Sequence, residues 1–390
     1  METMLCAEDR AYQDTCRAYA EGELAELERK YGEVYDVPDE LRQSLAKAGF
    51  FRYLIPEAYG GDGVSAVRIC LAREVLAGVY GPADVTLALQ GLGSQPIVLA
   101  GSEEQKRNYL PRVASGEILV TFGLTEPHAG SDVSSMESTA IPVEGGYIIN
   151  GRKRFISNGY SAHMGVVFVK TPTEDNPRSI SAFIIEKGTP GFEVDNRLTI
   201  MAAHDIVSLK LEHVFVPGEN LVGEPGGGFK LAMQTLDLMR VTVGAAALGM
   251  GQRALDEALS YASARVQFGA AIATQQGIQF KLADMATELA AARLLIYRAA
   301  LKKDNGAPDM SVASSMAKLY ATEAAWRAVD EAVQIHGGIG VLHGSVVERL
   351  YREIRPLRVY EGTSEIQKLI ISRTLLRRAK QKNGDHPVKG

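Results

Sequence analysis

The sequence predicts an α+β fold in three parts: an N-terminal α-helical domain, a middle antiparallel β-barrel or sandwich domain, and a C-terminal α-helical bundle. Three observations carry this. Helical patterning fills the chain to about residue 117; at Ile118 the texture changes to short runs rich in Val, Ile and Phe, separated by Gly, Asn, Pro and Asp; from Phe229 onward helical periodicity returns. Strands grouped between groups of helices exclude a doubly wound α/β sheet, in which the two would alternate. The expected domains are 1–117, 118–226 and 227–390.

In the first part, "VPDELRQSLAKAGFF" reads as a helix, with Pro38 near its start and Leu41, Leu45 and Ala48 on one face. "EEQKRNYLPRVASGE" reads as a short helix interrupted at Pro111. The strands of the second part are "ILVTFGLTE", "GGYIING", "MGVVFVKT", "SISAFIIEKG", "FEVDN" and "IVSLKLEHVFVP". In the third part Ile278, Leu282, Met285, Leu289, Ala292 and Ile296 recur at steps of four and three, which gives one long helix a single apolar seam. "MAKLYATEAAWRAVDEAVQIHGG" reads as a second long helix that stops at Gly337 and Gly338.

Composition narrows the function classes. The 390 residues carry 42 basic and 47 acidic side chains, interspersed, for a net charge of -5, so no basic stripe points to nucleic acid. Cys6, Cys16 and Cys70 are odd in number and lack metal-ligand spacing, as expected of reduced thiols in the cytoplasm with no metal site. No signal or transit peptide and no membrane span is expected. "GMGQRA" (Gly249, Gly251, Ala254) matches a dinucleotide fingerprint, but no strand and turn precede it; small residues inside a long helix point to close helix packing instead.

Four segments have the makings of a site. "FGLTEPHAGSDV" leaves a strand through Pro127, and its Gly130 and Ser131 offer backbone N–H groups and a hydroxyl. "NGRKRFISNG" sets Phe155 and Ser157 on one face of a strand, where an aromatic and a hydroxyl suit the face and edge of a flat cofactor, or a core Phe sits beside an exposed Ser. "YASARVQFG" closes a helix with Arg265, a partner for a phosphate or simply a cation at a helix C-terminus. In "RVYEGTSEIQ", Pro356 ends one helix, and Ser364 with Gln367 forms an S-x-x-Q capping box that starts the next. Glu361 therefore sits in a tight connection beside Gly362. The following helix N-terminus favours its carboxylate form, while burial against an apolar substrate favours the acid.

In this order and spacing, "LTEPHAGSD", "NGRKRFISN", "RVQFG", "QGIQFKLADM", "QIHGGIG" and "YEGTSEIQ" resemble the acyl-CoA dehydrogenase family. The resemblance runs from "GFFRYLIPEAYGGDG" to "IISRTLL". It implies a non-covalent FAD, oxidation of an acyl-CoA thioester to its trans-2-enoyl form as in fatty acid β-oxidation, a homotetramer, and electron-transferring flavoprotein as acceptor. It implies that Glu361 removes the α-proton and that its N–H helps polarise the thioester carbonyl. Phe122, Leu124, Thr125, Gly130, Ser131, Phe155 and Ser157 would line the flavin, with Ser157 near its reactive nitrogen. Arg265, Phe268, Gln276, Gln334, Gly338 and Thr363 would hold the rest of the FAD, some of them across a subunit interface. Ser131, Asp237, Arg240, Tyr360 and Gly362 would meet the acyl-CoA, with Leu236 and Met239 nearby.

Several positions depart from the family pattern. Phe155 stands where many members have Trp, His128 where a small residue is common, and "MAAHDIVSLKLEHVFVP" lacks the usual Gly-x-Arg-x-Ser run. Some members carry the base just before the arginine equivalent to Arg240; Met239 stands there, which leaves Glu361 as the candidate. A same-fold oxidase or monooxygenase, a dehydrogenase of carrier-protein thioesters, and a non-catalytic scaffold are the alternatives. The acyl group is not readable from the sequence.

Overall fold

The strand-rich middle of the chain forms one sheet, and its order explains why two of its strands read as unbroken apolar runs. The strands are β1 (Val120–Gly123), β2 (Thr139–Val143), β3 (Gly146–Ser157), β4 (Met164–Lys170), β5 (Ile180–Glu186), β6 (Phe192–Arg197), β7 (Ile206–Pro217) and β8 (Leu221–Val222). They lie in the order β6-β7-β3-β2-β4-β5-β8, with β1 beside β4. The computed structural model describes residues 5–173, 176 and 179–384. Its contacts divide it into two units, Cys6–Met239 and the chain from Arg240 onward.

The sheet is antiparallel, as expected, except where β1 and the start of β2 meet β4 in parallel. β4 is covered on both faces. Val166 and Phe168 join a core with Leu41, Leu45 and Leu110 of the preceding helices; Val167 and Val169 join a second core with Ile149, Phe183 and Val214. Period-two alternation sends neighbouring side chains into different cores, so no polar position is left in the strand's middle.

The helices before the sheet are α1 (Ala7–Tyr19), continued by a π turn at Ala20–Leu24 into α2 (Ala25–Tyr31), then α3 (Asp39–Lys47), α4 (Ala66–Val79), α5 (Gly81–Ala100) and α6 (Glu103–Ala114). In α3 the expected Leu41 and Leu45 are fully buried. The expected interruption at Pro111 does not occur: α6 runs through it to Ala114. Ser102 and Gln105 cap its start reciprocally, at 3.1 and 3.0 Å. Tyr109, Leu110 and Val113 are buried on both sides of the proline. That anchoring outweighs the single hydrogen bond a proline removes near a helix end.

From Arg240 onward the chain is a helical bundle. Its elements are the greater part of α7 (Gly228–Ala264), a hairpin of β9 (Val266–Gln267) and β10 (Ala270–Ala271), α8 (Gln276–Asp304), α9 (Met310–His336), α10 (Val346–Ile354) and α11 (Ser364–Gly384). A Cβ on Gly251 would lie 2.7 Å from Leu289 Cδ2 and 3.1 Å from Ala325 Cβ. The dinucleotide-like "GMGQRA" is therefore a helix contact that only glycine permits. The seam of α8 is buried at Met285, Leu289, Ala292 and Ile296 and only half-buried at Ile278 and Leu282. Gly337, at φ 59°, ends α9 as expected. Among the described residues no helix is long and apolar enough to cross a membrane.

Candidate active site

Glu361 lies in the connection between α10 and α11, and its backbone is left-handed, at φ 52°, followed by Gly362 at φ 92°. A glutamate in that region costs about 1 kcal/mol or more, so its surroundings must hold it there. Two fully buried side chains do so. Lys318 Nζ, on α9, donates to the Gly362 carbonyl at 2.8 Å. Gln367 Nε2, on α11, donates to the same carbonyl at 2.8 Å and to the Glu361 carbonyl at 3.3 Å. The expected capping box is therefore not formed. Thr363 caps α11, accepting from Ile366 N at 3.3 Å, while the Ser364 hydroxyl donates to Glu323 at 2.6 Å. Gln367 is drawn away from the cap because the loop's carbonyls need it more than a helix N-terminus that Thr363 already serves.

Charge gathers around this loop. Burial pushes the Lys318 ammonium down to about 8, and the Glu361 carboxylate opposes that shift. Arg240 is buried and adds a like charge toward Lys318. Burial pushes Glu323 up, but the Ser364 hydroxyl and the Arg358 guanidinium outweigh it and hold Glu323 below the usual carboxylate range. The Arg358–Glu323 pair, at 2.9 Å, ties the turn before Glu361 to α9. Glu361 itself is half-buried, with Oε2 shielded from solvent. Such an arrangement offers a carboxylate in a fixed direction with little water around it, as general-base chemistry on a weak carbon acid requires.

The second cluster lies in the β sheet. Phe155 is left-handed, at φ 58°, in a bulge of β3 and is 51% exposed. Strict alternation along β3 breaks there: Lys153 points in, Arg154 and Phe155 point out, and Ile156 points in. Ser157 is half-buried, and its carbonyl accepts from Thr121 Oγ1 at 2.6 Å. Arg154 N donates to the Thr125 carbonyl at 2.8 Å, so the loop after β1 lies against the end of β3. Phe122 packs tilted on Phe168 at 4.9 Å, and Leu124 is buried. In the same loop Pro127 and His128 are the corners of a tight turn closed between Glu126 and Ala129; His128 is exposed there. Gly130 and Ser131 are exposed, and a Cβ on Gly130 would meet nothing within 4 Å. Beneath the loop, Lys153 Nζ pairs with Glu126 at 2.6 Å, and both are buried. Glu126 also accepts from Ser138 N at 3.1 Å and from Glu137 N at 2.5 Å.

The remaining candidates lie from α7 onward. Arg265 and Phe268 belong to the β9–β10 hairpin, where Phe268 is 98% exposed at φ 52°. Gln334 and Gly338 are exposed at the end of α9, and Gln276 is exposed at the start of α8. Tyr261 stacks on His336 at 4.4 Å, which joins the base of the hairpin to the end of α9. Asp237 and Arg240 stand one turn apart on α7, and Tyr360 is exposed beside Glu361. Met239 is fully buried against Gly91, where a Cβ would come within 2.7 Å of its Cε.

Three family models match the chain in sequence: the acyl-CoA dehydrogenase N-terminal domain over residues 7–117, the middle domain over 121–214 and the C-terminal domain over 226–376. The chain belongs to the acyl-CoA dehydrogenase family. An acyl-CoA dehydrogenase of Bacillus subtilis is 42% identical over 363 residues, 92% of this chain and 96% of the relative. The caffeyl-CoA reductase–Etf complex subunit CarC of Acetobacterium woodii is 39% identical, over 95% of this chain and 99% of its own. The butyryl-CoA dehydrogenase structure from Megasphaera elsdenii superposes with a TM-score of 0.90 at 37% identity, over 95% of this chain and 99% of that one. This acyl-CoA dehydrogenase is thus an oxidoreductase of CH–CH bonds with FAD as cofactor.

The residues present fit a flavin. An aromatic held half-exposed in a strained backbone, two residues from an anchored hydroxyl, is what the face and edge of an isoalloxazine need. The sequence pattern did not mark Lys318, Gln367's hold on the Glu361 loop, the Lys153–Glu126 pair, or His204, whose Nε2 lies 2.7 Å from Ser157 Oγ. Lys318 did leave a signal: it is a lone cation whose neighbours at helical spacing, Ser314, Ser315, Ala321 and Thr322, are all small and buried.

Proposed function

We propose that Glu361 is the base of this acyl-CoA dehydrogenase and takes the α-proton of a bound acyl thioester. The observation that carries this is the left-handed Glu361 gripped through its loop carbonyls by fully buried Lys318 and Gln367. A solvated turn glutamate needs no such clamp. The FAD supplies a hydride acceptor for the β-hydrogen. The chain's own work is to orient and to move one proton. The Glu361 N–H polarises the thioester carbonyl, and charge on the developing enolate is stabilised there. Ser131, Asp237, Arg240, Tyr360 and Gly362 bind the acyl-CoA.

Phe122, Leu124, Thr125, Gly130, Ser131, Phe155 and Ser157 line the flavin ring. Arg265, Phe268, Gln276, Gln334, Gly338 and Thr363 hold the rest of the FAD. The Tyr261–His336 stack supports a single FAD-binding edge made of the hairpin and the end of α9. The bare Phe268, with Val341 and Leu342 at 70% and 65% exposure, supports a homotetramer in which copies cover that edge. Electron-transferring flavoprotein is the acceptor we assign, and Cys6, Cys16 and Cys70, present as thiols, support a cytoplasmic site. We divide the chain at 117/118 and 226/227.

Anaerobic mixing of holoenzyme with a panel of acyl-CoAs tests this. The cognate thioester bleaches the flavin, and Glu361→Gln slows bleaching by about a thousandfold or more. Bleaching at the wild-type rate in Glu361→Gln refutes the role. Rapid hydrogen peroxide formation without added acceptor favours an oxidase, and reaction only with carrier-bound thioesters moves the substrate class.

A further inference from the structure

The stretch "MAAHDIV" (Met201–Val207) leads into β7, the sheet neighbour of β3, and grips the end of β3. The Asp205 carboxylate accepts from Tyr160 N at 3.3 Å and Ser161 N at 3.0 Å, and its carbonyl accepts from Asn158 N at 2.7 Å. With Thr121 Oγ1 on the Ser157 carbonyl, the backbone around Ser157 is fixed. The freedom that remains is the direction of the Ser157 hydroxyl proton. His204 Nε2, 2.7 Å from Ser157 Oγ, faces that hydroxyl. Burial pushes the imidazole down to about 4, so it is neutral at ordinary pH. A neutral imidazole carries one N–H donor and one bare acceptor nitrogen, and the tautomer decides which one Ser157 meets.

We infer that His204 is a positioning residue that sets the direction of the Ser157 hydroxyl and, by changing tautomer, lets it reverse. The inference rests on the reading that Ser157 faces the reactive edge of the flavin. An oxidised ring presents an acceptor at that edge, and a ring reduced by hydride presents an N–H donor. With Nε2–H, His204 donates to Ser157, whose hydroxyl then donates outward. With Nδ1–H, His204 accepts from Ser157, whose oxygen then accepts from outside. The proton moves between the two ring nitrogens of His204, with no net gain or loss. A cavity of about 200 Å³, lined by Tyr35, Arg197, Leu198, Thr199, His204 and Ile206, borders the ring and has room for the water such an exchange needs.

Flavin reduction potentials of the holoenzyme, measured by reductive titration with a redox dye, test the inference. His204→Phe leaves a reduced flavin facing a hydroxyl whose proton has no acceptor, so the reduced form loses about tenfold against the oxidised form, a fall of about 30 mV. His204→Gln, whose amide both donates and accepts, stays close to wild type. In a Ser157→Ala background His204→Phe adds no further shift. A wild-type potential in His204→Phe, alongside a shifted one in Ser157→Ala, overturns the inference and leaves the Ser157 reading standing. A wild-type spectrum and potential in Ser157→Ala overturns both. Should His204→Phe not retain flavin, ¹⁵N spectra of histidine-labelled wild-type holoenzyme decide. His204 changes tautomer between oxidised and reduced enzyme, and one tautomer in both states overturns the inference.

Discussion

Two buried lysines hold the two loops that matter, and they do so differently. Lys153 lies beneath the loop after β1 and pairs directly with Glu126 at 2.6 Å. Lys318 lies beneath the loop of Glu361 and donates to a neutral carbonyl at 2.8 Å. Burial pushes each ammonium down to about 8. In the first, the opposing charge is a dedicated carboxylate that also accepts from Glu137 N and Ser138 N. In the second, the foremost opposing charge is Glu361 itself. A lysine with its own counter-ion serves the fold. One whose counter-ion is the candidate base ties loop position and reactivity together.

That contrast is broken most severely at Lys153. Lys153→Met leaves the buried Glu126 carboxylate without its cation, a loss of about 3–5 kcal/mol of stability. Urea denaturation of the holoenzyme measures it, and the double variant with Glu126→Gln recovers much of the loss. An unchanged unfolding midpoint removes the distinction between the lysines. Lys318→Met is expected to do the reverse. Stability falls by about 1 kcal/mol, the value of one neutral-acceptor hydrogen bond. Flavin bleaching by substrate slows by tenfold to a hundredfold, because Glu361 loses both its loop anchor and its nearby positive charge. Stopped-flow absorbance separates the two effects; a variant that loses stability alone makes Lys318 a second Lys153.

The same contrast marks what was legible in the sequence. The helix–sheet–helix order was readable because periodicity changes at Ile118 and again near Phe229, and packing followed periodicity. Gly251 was readable as a packing glycine because no strand precedes it. Pro111 misled because a local rule for proline ignores the buried residues on either side of it. Ser364 and Gln367 misled for a related reason. Their spacing suits a capping box, but Glu323 and the Glu361–Gly362 carbonyls, remote or unmarked in sequence, compete for their side chains. Phe155 and Ser157 were located as neighbours, while the left-handed backbone that exposes Phe155 was not, because φ is set by the bulge against β7. His204 escaped because its partner lies 47 residues away.

A smaller effect is expected at Gly362. Its φ of 92° suits glycine, and a Cβ would lie 2.6 Å from Gln367 Nε2. The obstructing atom is the end of a flexible side chain, so Gly362→Ala displaces Gln367 rather than the backbone. A destabilisation of about 1–2 kcal/mol follows from the left-handed alanine and the lost hydrogen bond. Bleaching rates fall with it, as Gln367→Ala also makes them fall. Gly362→Ala with full activity would show that Gln367 is not needed to hold Glu361.

The smallest effect is a pH dependence that sets the two lysines apart. Folded Lys318 loses its proton near pH 8, among Glu361, Arg240, Glu323 and Glu365, whereas the unfolded chain keeps it to about 10.4. Below pH 8 both states hold the proton, and wild type and Lys318→Met differ by a constant amount. Between pH 8 and 10 the unfolded state binds more protons, so wild-type stability rises relative to the variant, by roughly 1 kcal/mol per pH unit at most. Urea midpoints at pH 7 and 9.5 read this, and a constant gap means that Lys318 is not titrating there. Because the Glu361 charge opposes the depression, Glu361→Gln moves the onset of the rise to lower pH. The same replacement leaves the Lys153 titration where it is, since Glu126 supplies that opposition. An onset in Glu361→Gln unchanged from wild type would uncouple Lys318 from Glu361 and reduce it to a structural lysine.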